Sequence, residues 1–170
     1  RAKRCQPWAR VMVNKLAPAL LNALFPPYCA LCGLPSGNSL PLCVYCYREL
    51  PANRNSCGRC ALPLPGTHTS ATRLCAGCLQ RPPPFARARV PWIYDERFAH
   101  LVRRWKFDRQ WQLTRLLAWL WLRRATPSMV DVVVPVPLHW TRLLQRGCNQ
   151  SELLLREVRK MLPAALPMTI

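Results

Sequence analysis

The sequence predicts an α/β protein in which an N-terminal double zinc ribbon is followed by an incomplete parallel-sheet domain. Three observations support this fold class. Residues 29–78 hold eight cysteines as four C-x-x-C pairs, and residues 130–136 form a nearly continuous β-branched run. Between these two regions, apolar residues recur at helical spacing in two segments. A short β-prone run, "VPWIY" at residues 90–94, precedes these two helices. A strand, two helices and a further strand are typical of a crossover unit in a parallel sheet.

Residues 1–25 are predicted to form a basic amphipathic helix that docks on the body of the protein or on a partner. Asn14, Lys15 and Pro18 interrupt the apolar stretch before it reaches the length of a signal peptide. No run of 18 apolar residues occurs in the sequence, so no membrane span is predicted. These features predict a cytoplasmic protein with reduced thiols. The apolar stripe consists of Trp8, Val11, Leu16, Leu20 and Leu24.

The four C-x-x-C pairs predict metal binding. In a reducing compartment such a pair places two thiolates about 2.3 Å from one zinc ion, and two pairs complete a tetrahedron. The pairs are separated by 10, 10 and 14 residues, which is close to zinc-ribbon spacing. Disulfides or a redox motif are the alternatives, but four regular pairs without a thioredoxin-like context argue against both. Two zinc ions are therefore predicted, with the ligands Cys29, Cys32, Cys43, Cys46, Cys57, Cys60, Cys75 and Cys78.

The eight ligands can be assigned to the two zinc sites in two ways. The simplest scheme groups the first four cysteines at one site and the last four at the other, and an interleaved scheme remains possible. Cys5 and Cys148 fall outside the pattern and are predicted to be ordinary small or semi-buried residues. Because the segment contains few large aliphatic residues, removal of zinc is predicted to unfold it.

The charge of the chain predicts a polyanionic partner. There are 25 basic and 7 acidic residues, which give a formal net charge of +18. Eight ionised thiols and two zinc ions change that charge to about +14. Nucleic acid is the first candidate partner, and an anionic membrane surface is the second.

The sequence divides into an N-terminal helix (1–25), the double zinc ribbon (26–80), a proline-rich extended linker (81–90) and an α/β domain (91–170). In the first helix of that domain, the apolar residues share one face, and several basic residues lie opposite or beside it. The simplest interpretation is that this basic face only contacts solvent. The functional interpretation is that it binds a polyanion. The apolar residues are Phe98, Leu101, Val102 and Trp105, and the nucleic-acid-binding candidates are Arg103, Arg104 and Lys106.

The second helix, predicted over residues 113–124, is apolar on several sides and must be buried from more than one direction. Its tryptophans are more typical of a core than of base stacking. Residues 130–136 predict a strand covered on both faces. A donor-rich loop should follow this strand and run into a helix that begins near residues 149–151, a typical place for phosphate binding. Helix capping alone would equally explain Asn149 or Ser151. The phosphate-binding candidates are Arg142, Arg146, Asn149 and Gln150.

Three segments together resemble the ComF family of competence and DNA-utilisation proteins. The stretch "VVVPVPLHWTRLLQRGCNQSELL" resembles the family signature, except that Cys148 replaces the usual phenylalanine. The segment "YDERFAHLVRRWKFDRQWQL" is similar to the family's helix that ends in K-F, and the four C-x-x-C pairs are similar to its N-terminal double zinc ribbon. The resemblance covers about residues 25–160.

The resemblance implies a type I phosphoribosyltransferase-like domain and a role in handling single-stranded DNA after uptake in natural competence. It implies phosphoribosyl pyrophosphate as a ligand in full-length relatives, and a protein of the DNA-uptake machinery as a further partner. By the same resemblance, residues 134–137 lie near the pyrophosphate, and Arg142, Arg146, Asn149 and Gln150 belong to a mobile segment that covers the site. No catalytic base is visible.

The sequence departs from the family in one respect. Phosphoribosyltransferases of this type grip the ribose phosphate with two acidic residues followed by a hydroxyl- and glycine-rich turn, and no such loop follows Glu157. The domain is therefore predicted to be truncated, with an exposed sheet edge, and inactive alone. The alternative function is a non-catalytic zinc-ribbon scaffold that binds nucleic acid or a partner protein.

Overall fold

The computed structural model describes residues 27–66, 73–125 and 131–162. The predicted helix over residues 1–25 lies outside these ranges. Within them, isolated antiparallel bridges join Tyr28 to Pro35, Ala52 to Trp92 and Ser56 to Pro63, and no sheet forms. The helices are α1 (Val44–Arg48), α2 (Ala76–Gln80), α3 (Glu96–Phe107), α4 (Leu113–Leu122), α5 (Trp140–Arg146) and α6 (Gln150–Met161).

The cysteine region consists of two similar units, here called the first ribbon (27–50) and the second ribbon (53–66 and 73–80). Each unit contains a tight turn after its first cysteine and a short helix after its third. In the first turn the N–H of Gly33 donates to the carbonyl of Cys29 at 2.9 Å, and in the second Ala61 donates to Cys57 at 3.0 Å. Both turns require a left-handed residue, with φ of 74° at Gly33 and 62° at Ala61. Glycine adopts this conformation without steric cost, whereas alanine does not.

Helices α3 and α4 form an antiparallel hairpin. The indole N–H of Trp105, near the end of α3, donates to the hydroxyl of Thr114 at the start of α4. Trp92, just before α3, donates to the carbonyl of Leu120 near the end of α4. Asp95 caps α3 by accepting the N–H of Phe98 at 2.8 Å. These contacts confirm the two predicted helices, and α6 packs against α4.

The first ribbon shares its hydrophobic core with this hairpin, whereas the second ribbon does not. Arg104 reaches from α3 to the carbonyl of Ala30, and Arg97 forms an ion pair with Glu49 at 2.9 Å. The second ribbon has a small cluster of its own, formed around Cys57, Cys75 and Cys78. The shared core contains Cys29, Leu42, Cys43, Leu50, Trp92, Leu101, Trp105, Leu113, Leu116, Leu117 and Leu120.

The proline-rich segment 81–90 contains no helix or strand and lies against the second ribbon. The guanidinium of Arg59 donates to two carbonyls of this segment, those of Pro83 and Phe85, at 3.1 and 3.2 Å. The carbonyl of Arg59 accepts the N–H of Ala88 at 2.6 Å. The segment is therefore fastened to the ribbon along its length, and the domain boundary at residue 90 stays a prediction.

Two features after residue 130 differ from the sequence predictions. The donor-rich segment is not a continuous loop, because it contains α5, which ends at Gly147 in the left-handed conformation (φ 78°). The extended residues before α5 are exposed, with Val134 and Val136 at 71% and 73%. The prediction of a strand covered on both faces is not met within the described ranges, because such burial depends on neighbouring strands that the local sequence does not supply. None of the described helices has the length and apolarity of a membrane span.

Candidate metal centres and a basic cleft

The eight cysteines form two groups of four in the structure, in the sequential arrangement preferred from the sequence. Within each group, all four sulfur atoms lie within 4.8 Å of one another. The Cys32 and Cys43 sulfurs are 3.8 Å apart, and those of Cys60 and Cys75 are 3.6 Å apart. A tetrahedron with metal–sulfur bonds of about 2.3 Å has edges of about 3.8 Å, so these distances fit zinc. The groups are Cys29, Cys32, Cys43 and Cys46, and Cys57, Cys60, Cys75 and Cys78.

The short helices orient half of these ligands. Cys43 is the N-cap of α1, and its sulfur accepts the N–H of Cys46 at 3.4 Å. Cys75 caps α2 in the same way and accepts the N–H of Cys78 at 3.4 Å. Backbone donors at a helix start stabilise negative charge on sulfur. The two sites therefore have the same local structure, although only the first contributes cysteines to the shared core.

The electrostatics of each group favour one thiolate before the metal arrives. Burial raises the pKa of Cys29, but the backbone N–H groups of Cys43 and Cys32 outweigh it and lower that pKa to about 6. Backbone donors from Cys60 and Cys75 likewise lower the pKa of Cys57 to about 6. Burial and the neighbouring thiols raise the pKa of Cys78 to about 12. Zinc must therefore displace protons from the remaining thiols, and its affinity should rise with pH.

A second candidate site is a basic cleft of about 240 Å³ between the end of α3 and α5. It brings Lys106, a predicted nucleic-acid contact, together with the predicted phosphate contacts Arg142 and Arg146. Arg109 also lines it, and the sequence reasoning did not single out this residue. Of the described residues that line the cleft, none is acidic. Its lining consists of Lys106, Phe107, Arg109, Arg142, Gln145 and Arg146.

The structure gives the other phosphate candidates structural contacts. Asn149 caps α6 by accepting the N–H of Ser151 at 3.0 Å and donates to the carbonyl of Val136 at 3.1 Å. Gln150 is buried and accepts a hydrogen bond from Arg146 at 3.3 Å. Its Nε2 atom has no acceptor in the described part of the chain. Asn149 therefore acts in helix capping, and Gln150 positions Arg146.

Three arginines near α3 have different roles. Arg146 lies over the ring of Phe107 at 5.2 Å, which fixes its guanidinium at the cleft. Arg104 is half-buried and bonded to Ala30, so the fold uses it in addition to any partner. Arg109 has a left-handed backbone (φ 55°), a conformation that costs a non-glycine residue about 1–2 kcal/mol. The sequence offered one signal for Arg109 as a binding residue, which is its position just after the amphipathic helix α3.

Comparisons with known proteins agree with the metal sites. Residues 20–79 match the family model of the double zinc ribbon domain. The DNA utilization protein YhgH of Escherichia coli K12 is 32% identical over 145 residues, which cover 81% of this chain and 62% of that protein. YhgH of Salmonella typhimurium is 36% identical over 137 residues, covering 76% and 59% of the respective chains. Competence protein F of Haemophilus influenzae is 28% identical over 128 residues, covering 71% and 54%.

The chain thus spans about three fifths of the length of these curated relatives. No solved structure is significantly similar to it. The match to the ribbon model and the two groups of four sulfurs confirm the prediction of two zinc sites. The predicted resemblance is confirmed to this extent: the chain is homologous to proteins named DNA utilization protein YhgH and Competence protein F, and its residues 20–79 match the double zinc ribbon domain.

Proposed function

We propose that this protein binds single-stranded DNA in a DNA-uptake or DNA-utilisation process, and that the basic cleft is a phosphate contact site. A role in DNA uptake or utilisation is supported by the names of its relatives, DNA utilization protein YhgH and Competence protein F. The observation that carries the molecular function is the convergence of four cations, Lys106, Arg109, Arg142 and Arg146, on one cleft without an acidic lining residue among those described. Such a cleft would contact the charged phosphates of a nucleic acid and would not distinguish its base sequence.

The placement of the acidic residues supports the same proposal. Arg97 neutralises Glu49, while Glu152 and Glu157 pair with basic residues of their own helix. These pairs leave most of the 25 basic residues without a carboxylate, because the chain has only 7 acidic residues. Exposed cations in that excess attract polyanions over distances up to the Debye length, about 10 Å at moderate salt. Arg103, exposed on α3, extends this basic surface.

We expect the cleft to contribute directly to the salt dependence of DNA binding. Replacing Arg109 and Arg142 together with alanine removes up to two phosphate contacts, which should reduce the slope of log affinity against log salt by about 1.4 on single-stranded DNA. Fluorescence anisotropy at several salt concentrations measures this slope. The control is Arg48→Ala combined with Arg159→Ala, which removes the same charge at exposed residues outside the cleft. Equal slopes for the two double variants would contradict the proposal.

Arg109 allows a test in which stability and binding change independently. Arg109→Gly removes the left-handed strain of about 1–2 kcal/mol, although glycine loses about 0.5–1 kcal/mol in backbone entropy. Thermal unfolding should therefore show unchanged or slightly higher stability, while the salt slope falls by about 0.7 for one lost contact. A variant that loses stability and keeps its DNA affinity would show that the Arg109 side chain serves the fold.

We further propose that the second half of the chain begins a phosphoribosyltransferase-like domain whose pyrophosphate contact is Arg146. The support is the family resemblance and the guanidinium of Arg146, which lines the cleft and is held by the ring of Phe107 and the side-chain oxygen of Gln150. A guanidinium held in this way suits an oxyanion. Pyrophosphate should therefore compete with DNA for the wild-type protein and compete far less well for Arg146→Ala. Competition of equal strength in both would exclude Arg146 from the site.

The proposed compartment is the reducing cytoplasm. All eight zinc-ligand cysteines are free thiols in the structure, as zinc coordination requires. Cys32 is exposed, so its thiolate would be open to oxidation in an oxidising compartment. This placement agrees with a protein that handles DNA strands after their entry into the cell.

A further inference from the structure

A second basic cleft, of about 300 Å³, lies between the second ribbon, residues 87–91 and the end of α4. It is called the arginine cleft here. None of its described lining residues is acidic, and nothing in the proposed function uses it. Its cations are Arg54, Arg87, Arg89 and Arg124.

Backbone and amide hydrogen bonds hold the walls of the arginine cleft in place. The side-chain amide of Asn53 donates to the carbonyls of Ala61 and Val90 at 2.8 and 2.9 Å. The backbone N–H of Asn53 also donates to Pro91 at 2.9 Å. The second ribbon and residues 90–91, which are distant in sequence, are thereby joined around one opening. A ligand would meet a preformed cleft and lose little affinity to loop ordering.

The charge inside the arginine cleft is unbalanced. Arg54 and Arg87 are exposed and have no carboxylate partner among the described residues, a set that includes all seven acidic residues of the chain. Arg124 lies over the ring of Trp92 at 4.9 Å, which fixes a third cation. Like charges at one cleft repel each other, and an anion placed between them would relieve that repulsion.

The two clefts lie at opposite ends of α3. The arginine cleft includes Pro91, four residues before the N-cap Asp95, and the basic cleft includes Lys106 near the end of the helix. A helix of 12 residues is about 18 Å long. The contact of Trp92 with Leu120 and that of Trp105 with Thr114 fix this separation. A single strand that spans several nucleotides could reach both clefts.

We infer that the arginine cleft is a second binding site for the phosphate backbone of the same single strand, at the opposite end of α3 from the basic cleft. This inference rests on the proposed function. Binding at one cleft raises the effective concentration of the strand at the other, so long oligonucleotides gain affinity beyond the statistical increase. The second ribbon and its attached linker thereby form part of the DNA surface.

The test compares wild type with Arg54→Ala/Arg87→Ala, Arg109→Ala/Arg142→Ala and the exposed control Arg48→Ala/Arg159→Ala. Each protein is titrated with oligonucleotides of about 4 and about 16 nucleotides, which bracket common site sizes. Because Arg54 and Arg87 are exposed, their removal should leave two zinc ions bound. With the long oligonucleotide, the Arg54/Arg87 variant should show a salt slope reduced by about 1.4, and its gain in affinity with length should fall to the statistical value.

The outcomes separate the inference from the proposed function. If the Arg54/Arg87 variant behaves as the exposed control while the Arg109/Arg142 variant loses slope, the arginine cleft is not a DNA site and the proposed function stands. If the wild-type protein binds neither oligonucleotide, both are overturned. If the Arg54/Arg87 variant retains fewer than two zinc ions, Arg54→Gln/Arg87→Gln replaces it, and the same slope criterion applies.

Discussion

Cys43→Ser should unfold the main body of the protein, whereas the equivalent change Cys75→Ser should unfold only the second ribbon. Cys43 and Cys75 occupy the same place in their sites, as N-caps of α1 and α2. Cys43 belongs to the core that contains Trp92 and Trp105, while Cys75 belongs to a separate small cluster. A structural zinc site contributes on the order of 10 kcal/mol to a small domain, comparable with the whole stability of a typical protein.

Three measurements distinguish the two variants. Elemental analysis should give two zinc ions in wild type and in Cys148→Ser, one in Cys75→Ser and at most one in Cys43→Ser. Tryptophan emission should shift to the wavelength of exposed indole only in Cys43→Ser, because Trp92 and Trp105 lie in the shared core. Amide exchange should show loss of protection confined to the second ribbon in Cys75→Ser. Loss of tryptophan burial in both variants would mean that the two ribbons unfold as one unit.

The eight zinc ligands were predictable from the sequence because their signal is local. Two thiolates in a C-x-x-C turn point at one ion whatever the rest of the chain does. The ligand grouping was less certain, since it depends on which turns meet in space. Short spacers decide it: with 10 residues between Cys32 and Cys43, the first two pairs meet with less loop-closure entropy than an interleaved arrangement requires.

The helices were also predictable, because their apolar spacing reflects burial directly. Leu101 and Trp105 are buried as the stripe on α3 predicted. The sequence could not reveal that Arg104, predicted to lie opposite that stripe, would donate to the carbonyl of Ala30, 74 residues away. Helix α5 could have been found, because Gly147 directly after Arg146 is the usual residue of a left-handed C-cap.

The clefts were beyond prediction from the sequence for a different reason. Each is lined by residues from separate parts of the chain, and neither contains a motif of fixed spacing. Lys106 and Arg142 were identified separately, as contacts to DNA and to phosphate, and only the fold places them at one cleft. Arg54 and Arg124 line one cleft because two contacts hold its walls together. Asn53 joins the second ribbon to residues 90–91, and Trp92 bonds to the end of α4.

Trp92→Ala should be the most damaging change at a residue that is neither a cysteine nor a cleft cation. Trp92 is 4% exposed and joins the parts of the molecule by several contacts. Its ring lies 6.0 Å from that of Tyr47 in the first ribbon, and its indole N–H donates to Leu120 in α4 at 2.9 Å. Truncation of a buried tryptophan costs about 3–5 kcal/mol, which is most of the stability of a small domain. The control Trp140→Ala, at a residue that is 65% exposed, should change stability by less than about 0.5 kcal/mol.

The loss should reach the first zinc site although Trp92 is not a ligand. Tyr47, the ring partner of Trp92, directly follows the ligand Cys46 in α1. Zinc binding and folding are linked, so a weaker core releases zinc more readily. Under a competing chelator, Trp92→Ala should lose one zinc ion quickly and the second at the wild-type rate, because the second ribbon has its own cluster. Trp92→Phe keeps an aromatic ring but loses the bond to Leu120 and part of the buried ring volume, so its zinc release should be intermediate. Equal acceleration at both sites would show that Trp92 supports the two ribbons alike, and that the shared core extends further than its contacts indicate.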